Sequence, residues 1–156
     1  MPVKTPRPAI TAGLAHDVVV TAMMKRGAGQ WKSSDFLKYL QVQNLLCSNP
    51  VLEVLPIRFP FMVVKAKPYT TSKPIFVAQN QASVSGSCMT NLQHKLADLT
   101  RIASPKYSGY EAPLAFSICT AGPYFELWVH YTTLCDKVRM FNMNFLATCH
   151  ASLLSG

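Results

Sequence analysis

Acidic residues are scarce in this chain. Of 156 residues only 7 are Asp or Glu, against 15 Lys or Arg, so the formal charge is +8. The whole supply is Asp17, Asp35, Glu53, Asp98, Glu111, Glu126 and Asp136. A surface of this balance attracts nucleic acid, anionic lipid or acidic protein, when it is more than ordinary solubility charge. Long apolar runs are missing too, which argues against a membrane span. The start, MPVKTPRPAI, carries three prolines and has no apolar signal-peptide core. None of the five cysteines (Cys47, Cys88, Cys119, Cys135, Cys149) forms a C-x-x-C pair, which argues against a zinc knuckle. Reduced thiols in the cytoplasm or nucleus are the expectation. No G-x-S-x-G turn, phosphate-binding loop or dinucleotide fingerprint is present. His130 sits in a strand-like stretch and reads as structural. The apolar fraction is 49% and the charged fraction 14%, which excludes a disordered tail. A single domain over residues 1–156 is the prior.

What is present alternates strand and helix signals. Residues 9–14 read as a short strand and 16–26 as a helix, with Asp17 near its start and Lys25-Arg26 near its end. Ser33-Ser34-Asp35 offers an N-cap for a helix over 33–46, with Phe36, Leu37, Leu40 and Leu45 as its apolar side. Residues 51–55 suit a strand or an extended approach and 59–66 a buried strand. A loop over 68–74 leads to a helix over 76–101, whose Ala82, Ser83, Ser85, Gly86 and Ser87 allow close packing on a sheet. Leu92, Leu96 and Leu99 continue its apolar side. After a polar loop over 104–113, strands at 114–120 and 124–131 form a hairpin around Ala121-Gly122-Pro123. A further strand at 138–143 and a terminal helix or docked tail at 145–154 complete the reading. The order predicts an α/β or α+β fold, a mixed sheet flanked by helices.

One local pattern bears on chemistry. Lys65 and Lys67 end the apolar run Phe61-Met62-Val63-Val64, and strand residues two apart face the same way. Around them stand, in order, Pro6-Arg7-Pro8-Ala9-Ile10-Thr11-Ala12-Gly13-Leu14, Arg58-Phe59-Pro60-Phe61-Met62-Val63-Val64-Lys65-Ala66-Lys67, Gln79-Asn80-Gln81-Ala82 and Glu126-Leu127-Trp128-Val129-His130-Tyr131. This ordered set resembles the fungal branch of the PD-(D/E)XK nuclease-like family over most of the chain.

The resemblance implies a mixed sheet flanked by helices. In active members an Asp after Pro opens one strand, and Glu, a spacer and Lys end the next. The two acids hold Mg²⁺ or Mn²⁺, the Lys orients the attacking water, and a Gln early in the following helix supports the site. Here the Asp position is Ala9 and the Glu position is Lys65. Lys67 matches the motif Lys. Gln81 fits the helix position, with Gln79 as the alternative. Mg²⁺ needs hard oxygen ligands, and Ala9 offers none. Lys65 puts a like charge where the cation would sit. Such charges about 4 Å apart repel by roughly 4 kcal/mol at an effective dielectric near 20. No metal or other cofactor is expected, unless acids such as Asp17 or Glu53 supply the ligands. The family core also has an N-terminal helix and strand before the Asp position. This chain starts eight residues before Ala9, so those elements are expected to be absent or supplied otherwise.

Three functions follow as expectations. The first is a catalytically inactive pseudo-nuclease that binds DNA or RNA through Lys65, Lys67, Lys73, Arg58, Lys25 and Arg26. The second is a protein-interaction or effector-type module with an acidic partner. The third is an active metal-dependent nuclease with relocated acids, or one inactivated by engineered changes at Ala9 and Lys65. A homodimer fits the fold, and no membrane partner is expected. Phe59, Phe61, Phe116, Phe125, Trp128 and Tyr131 read as core at strand spacing, and Tyr69 as a base-stacking candidate.

Overall fold

The computed structural model describes residues 10–27, 29–42, 57–67, 75–103 and 112–151. Its elements are β1 (Ile10–Ala15), α1 (His16–Lys25), α2 (Gln30–Val42), β2 (Ile57–Lys67), α3 (Ile75–Ala103), β3 (Ala115–Ala121), β4 (Tyr124–Cys135) and β5 (Val138–His150). The five strands form one sheet in the order β1-β2-β3-β4-β5. β2 and β3 are parallel, and β3–β4 and β4–β5 are antiparallel. Parallel neighbours need a crossover, and α3 lies in the connection between β2 and β3. This is the expected α+β architecture. Among the described residues no helix is long and apolar enough to cross a membrane.

The chain divides into two compact units. One comprises Met1–Ala12, Phe61–Thr90 and Ala112–Gly156, and the other Gly13–Pro60 and Asn91–Glu111. In the first, α3 presents Ala78, Ala82 and Gly86 at intervals of four, one stripe on a helix. Ala78 and Ala82 bury against Cys119 of β3, with Trp128 and Met143 packed beside them. Met89 continues onto Val63 and Ala115. The hydroxyls of Ser83, Ser85, Ser87 and Thr90 donate back to helix carbonyls, at 2.9 to 3.0 Å, so these side chains hug the helix. In the second unit, Val20, Leu37, Phe59 and Leu92 form the core, joined by Val19, Met23, Leu96 and Leu99. Phe59 reaches it from a left-handed backbone position, φ 49°.

Two hairpins order the sheet's far side. Gly122 takes φ 60° ahead of Pro123, the pattern of a type II′ turn. Asp136 and Lys137 both have positive φ, 48° and 66°, as a type I′ turn requires. That turn carries none of the usual glycine, and β4 and β5 extend well past the lengths expected from sequence. Residues 145–150 continue β5 and form neither a helix nor a tail; 152–154 lie outside the described residues. The cause is a register shift between Leu127 and Trp128, which pair with Ala147 and Phe145 and leave Leu146 as an extra residue. The bulge breaks the two-residue alternation by which the strand would be recognised.

α2 also departs from expectation. It starts at Gln30, so Ser34 lies inside the helix and not at its cap; its hydroxyl faces His16 Nε2 at 3.4 Å. Leu37 is buried, but Phe36 is exposed, and so is Phe61 on β2. The segments expected at 43–46, 51–55, 68–74 and 104–111 lie outside the described residues.

The Gly86 stripe generates a test. A Cβ at Gly86 would overlap the ring of the buried His130. In an exposed helix Gly→Ala stabilises by up to about 1 kcal/mol. Here Gly86→Ala is expected to destabilise by about 1–3 kcal/mol through overpacking, read by urea denaturation. An unchanged or raised midpoint would contradict the close approach of α3.

Candidate functional site

Strand register sets the site's geometry. Lys65 on β2 pairs with Cys119 on β3, which pairs with Glu126 on β4. The neighbouring row is Val63, Ser117 and Trp128. These residues, with Ala115 and His130, share the face that α3 covers. Lys65 is 1% exposed, and Cys119 and Ser117 are fully buried.

Burial pushes Lys65, Cys119 and His130 toward their neutral forms. The Lys65 ammonium is lowered, first by burial and then by Lys67, with Cys119 partly offsetting. The Cys119 thiol is pushed up to about 11 by burial and by Glu126, with Ser117 and Lys65 acting the other way. Burial lowers His130 from an ordinary 6.5 to about 4. His130 Nε2 meets Ser117 Oγ at 2.9 Å. This Ser–His pair has the atoms of a nucleophile and base, but it is closed to substrate and its imidazole is a weak base. It is a structural contact.

Glu126 is the carboxylate of the row. Its Oε2 accepts hydrogen bonds from Gln79 Nε2 of α3 at 2.7 Å and from Trp128 Nε1 at 3.0 Å. A single carboxylate with one oxygen so engaged falls well short of an octahedral set for Mg²⁺. Among the described residues no group of three or more His, Cys, Asp or Glu could hold a metal ion.

The residues expected at a site are thus partly assembled. Lys65 and Lys67 do share a face, since both follow β2 parity, but Lys65 is enclosed and does not project into solvent. The reason is α3, which covers the strand end. Gln79, the alternative, reaches the sheet's carboxylate, while Gln81 accepts Ser85 Oγ at its backbone carbonyl. Ala9, Lys73, Glu53 and Tyr69 lie outside the described residues. Lys25 and Arg26 are exposed at the end of α1. Arg58 donates from Nε to His16 Nδ1 at 3.1 Å, so His16 carries its proton on Nε2, toward Ser34. Burial, then Arg58 and Lys38, lower His16, with Asp17 offsetting. Glu126 and Cys119 were not singled out by sequence reasoning as site residues. The available signal was parity: Glu126 and Trp128 are two apart on a strand.

No family model, curated protein or solved structure matches this chain.

Two measurements follow. Between pH about 6.5 and about 4, an unfolded His130 binds a proton that the native one refuses. Stability therefore falls as pH drops through that window and levels off below it. His130→Gln should flatten this slope relative to the parent in urea titrations at stepped pH; an unchanged slope would refute the buried neutral imidazole. Thiol labelling with mass mapping reads the other group. Cys88, Cys135 and Cys149 are exposed and should label in the native chain, whereas Cys119 should label only on unfolding.

Proposed function

We propose that this chain is a nuclease-like domain that does not cut and that binds nucleic acid through the phosphate backbone. The observation that carries the reading is the row Lys65–Cys119–Glu126. A buried ammonium stands where a second acid would be needed, and the remaining carboxylate is held by Gln79 and Trp128. That donor set favours neither a divalent cation nor an activated water.

The binding surface is drawn from cations that solvent reaches. Lys25, Arg26, Lys32 and Lys38 are exposed on α1, the turn after it and α2. Lys38 lies 4.0 Å from Asp35, but such an exposed pair holds it weakly. Arg58, bonded to His16, supports this group. Lys67, in the other unit, is half-buried and is not counted in this surface. Lys65, expected from sequence to touch nucleic acid, is excluded from this surface by its burial. The free thiols Cys88, Cys135 and Cys149 fit a reducing compartment, cytoplasm or nucleus.

The test is fluorescence anisotropy with labelled duplex DNA and single-stranded RNA over a salt series. Each phosphate contact contributes about −0.9 to the slope of log K against log salt for B-DNA. Lys25→Glu with Arg26→Glu should weaken binding by about tenfold or more and make the slope shallower by roughly two contacts. Lys65→Met should leave both unchanged. Incubation with Mg²⁺ or Mn²⁺ should produce no EDTA-sensitive cleavage. Absence of binding at low salt would overturn the reading in favour of a protein-interaction module, and EDTA-sensitive cutting would overturn it in favour of an enzyme.

A further inference from the structure

β5 is the last strand of the sheet among the described residues, and its outer edge offers a row of backbone donors and acceptors. Proteins usually blunt such an edge with charge, proline or a short length. β5 has 13 residues, no proline and Arg139 as its one Lys, Arg, Asp or Glu. Leu134, Val138, Met140, Phe141, Phe145 and Leu146 lie along the β4–β5 hairpin at 43% to 77% exposure. At about 200 Å² per large apolar side chain, their exposed area is on the order of 600 Å². Met140, Phe141 and Phe145 lie within the stretch that pairs, so a docked second strand covers part of this area.

We propose that β5 pairs antiparallel with β5 of a second copy about a two-fold axis, joining the two sheets. This inference is independent of nucleic-acid binding. A second copy is favoured because the edge is self-complementary. The stretch Val138–Phe145 runs regularly up to the bulge at Leu146. Centred on Asn142, the pairing sets Phe141 opposite Met143, Met140 opposite Asn144 and Asn142 opposite its copy. Arg139 then lies opposite Phe145 of the second copy, and the two arginines stay well apart. A chain of charge +8 resists self-association generally. The edge with a single cation is where that resistance is least.

Sedimentation velocity on nuclease-treated protein tests the proposal. The parent should shift from monomer to dimer with concentration, with little dependence on salt. Met140→Lys with Asn144→Lys places like charges across the pairing at two exposed positions. It should raise the dimer Kd by at least about tenfold while far-UV circular dichroism stays unchanged. A parent that is monomeric at every concentration overturns the proposal, as does a folded variant that dimerises like the parent. Hydrogen exchange on the parent needs no variant. Amides of Val138–Phe145 should gain protection as concentration rises; a gain elsewhere with none in β5 overturns it.

Discussion

The close approach of α3 to the sheet governs the sheet-bearing unit. At three successive turns α3 puts nothing larger than Ala against the strands, at Ala78, Ala82 and Gly86. The His130 ring takes the space that a Gly86 Cβ would fill. Lys65, Ser117 and Cys119 end up enclosed in the same layer. Desolvation penalises charge, so the lysine and histidine shift down and the thiol shifts up. One geometric fact therefore sets the chemistry of the whole layer, which disfavours ions. Glu126, only half-buried, is stabilised by two donors.

That property separates the sheet's frame from its use. A strand ending in Lys65 and Lys67, a parallel neighbour, and a helix glutamine aimed at a carboxylate could all serve a metal-dependent hydrolase. The polarity of the layer differs from that of a metal site. A metal site concentrates anionic oxygens, whereas this layer holds one carboxylate, Glu126, beside the buried Lys65, Cys119, Ser117 and His130. Ser117 and His130 satisfy each other, and among the described buried side-chain nitrogens and oxygens none is left without a partner. The layer has the character of a specific core, in which polar contacts fix register at some cost in stability. The binding and pairing proposed above use the surface instead, at the exposed cations and at the edge that β5 leaves among the described residues.

The legible parts of the sequence were those in which periodicity and punctuation agreed. β2 is a run of apolar residues, and the β3–β4 hairpin has Gly122-Pro123 between alternating strands. The small residues of α3 announced a close approach. The illegible parts each have a physical cause. Ser33-Ser34-Asp35 has the composition of a cap, yet α2 had already begun, and Ser34 serves His16. The bulge at Leu146 breaks the alternation of β5, so its second half did not read as strand. Parity put Lys65 and Lys67 on one face, but no local signal says which face a distant helix covers. The choice between Gln79 and Gln81 depends on the phase of α3. Ala78, Ala82 and Gly86 set that phase, which places Gln79 within reach of Glu126.

The shortage of acids has different consequences in the two units. On α1 and α2 exposed cations outnumber acids, and the attraction proposed there is Coulombic, so salt would screen it. Along β5 charge of either sign is nearly absent, and attraction rests on apolar area and backbone hydrogen bonds, which salt leaves intact. A charge of +8 spread evenly would have supplied gatekeeping lysines to the edge strand. Instead Lys137 and Arg139 gather at the β4–β5 turn, and the rest of β5 carries no Lys, Arg, Asp or Glu. Under the two proposals, segregated charge makes one surface salt-sensitive and the other salt-tolerant. Ionic strength is then the physical variable that tells an electrostatic partner from a strand-pairing one.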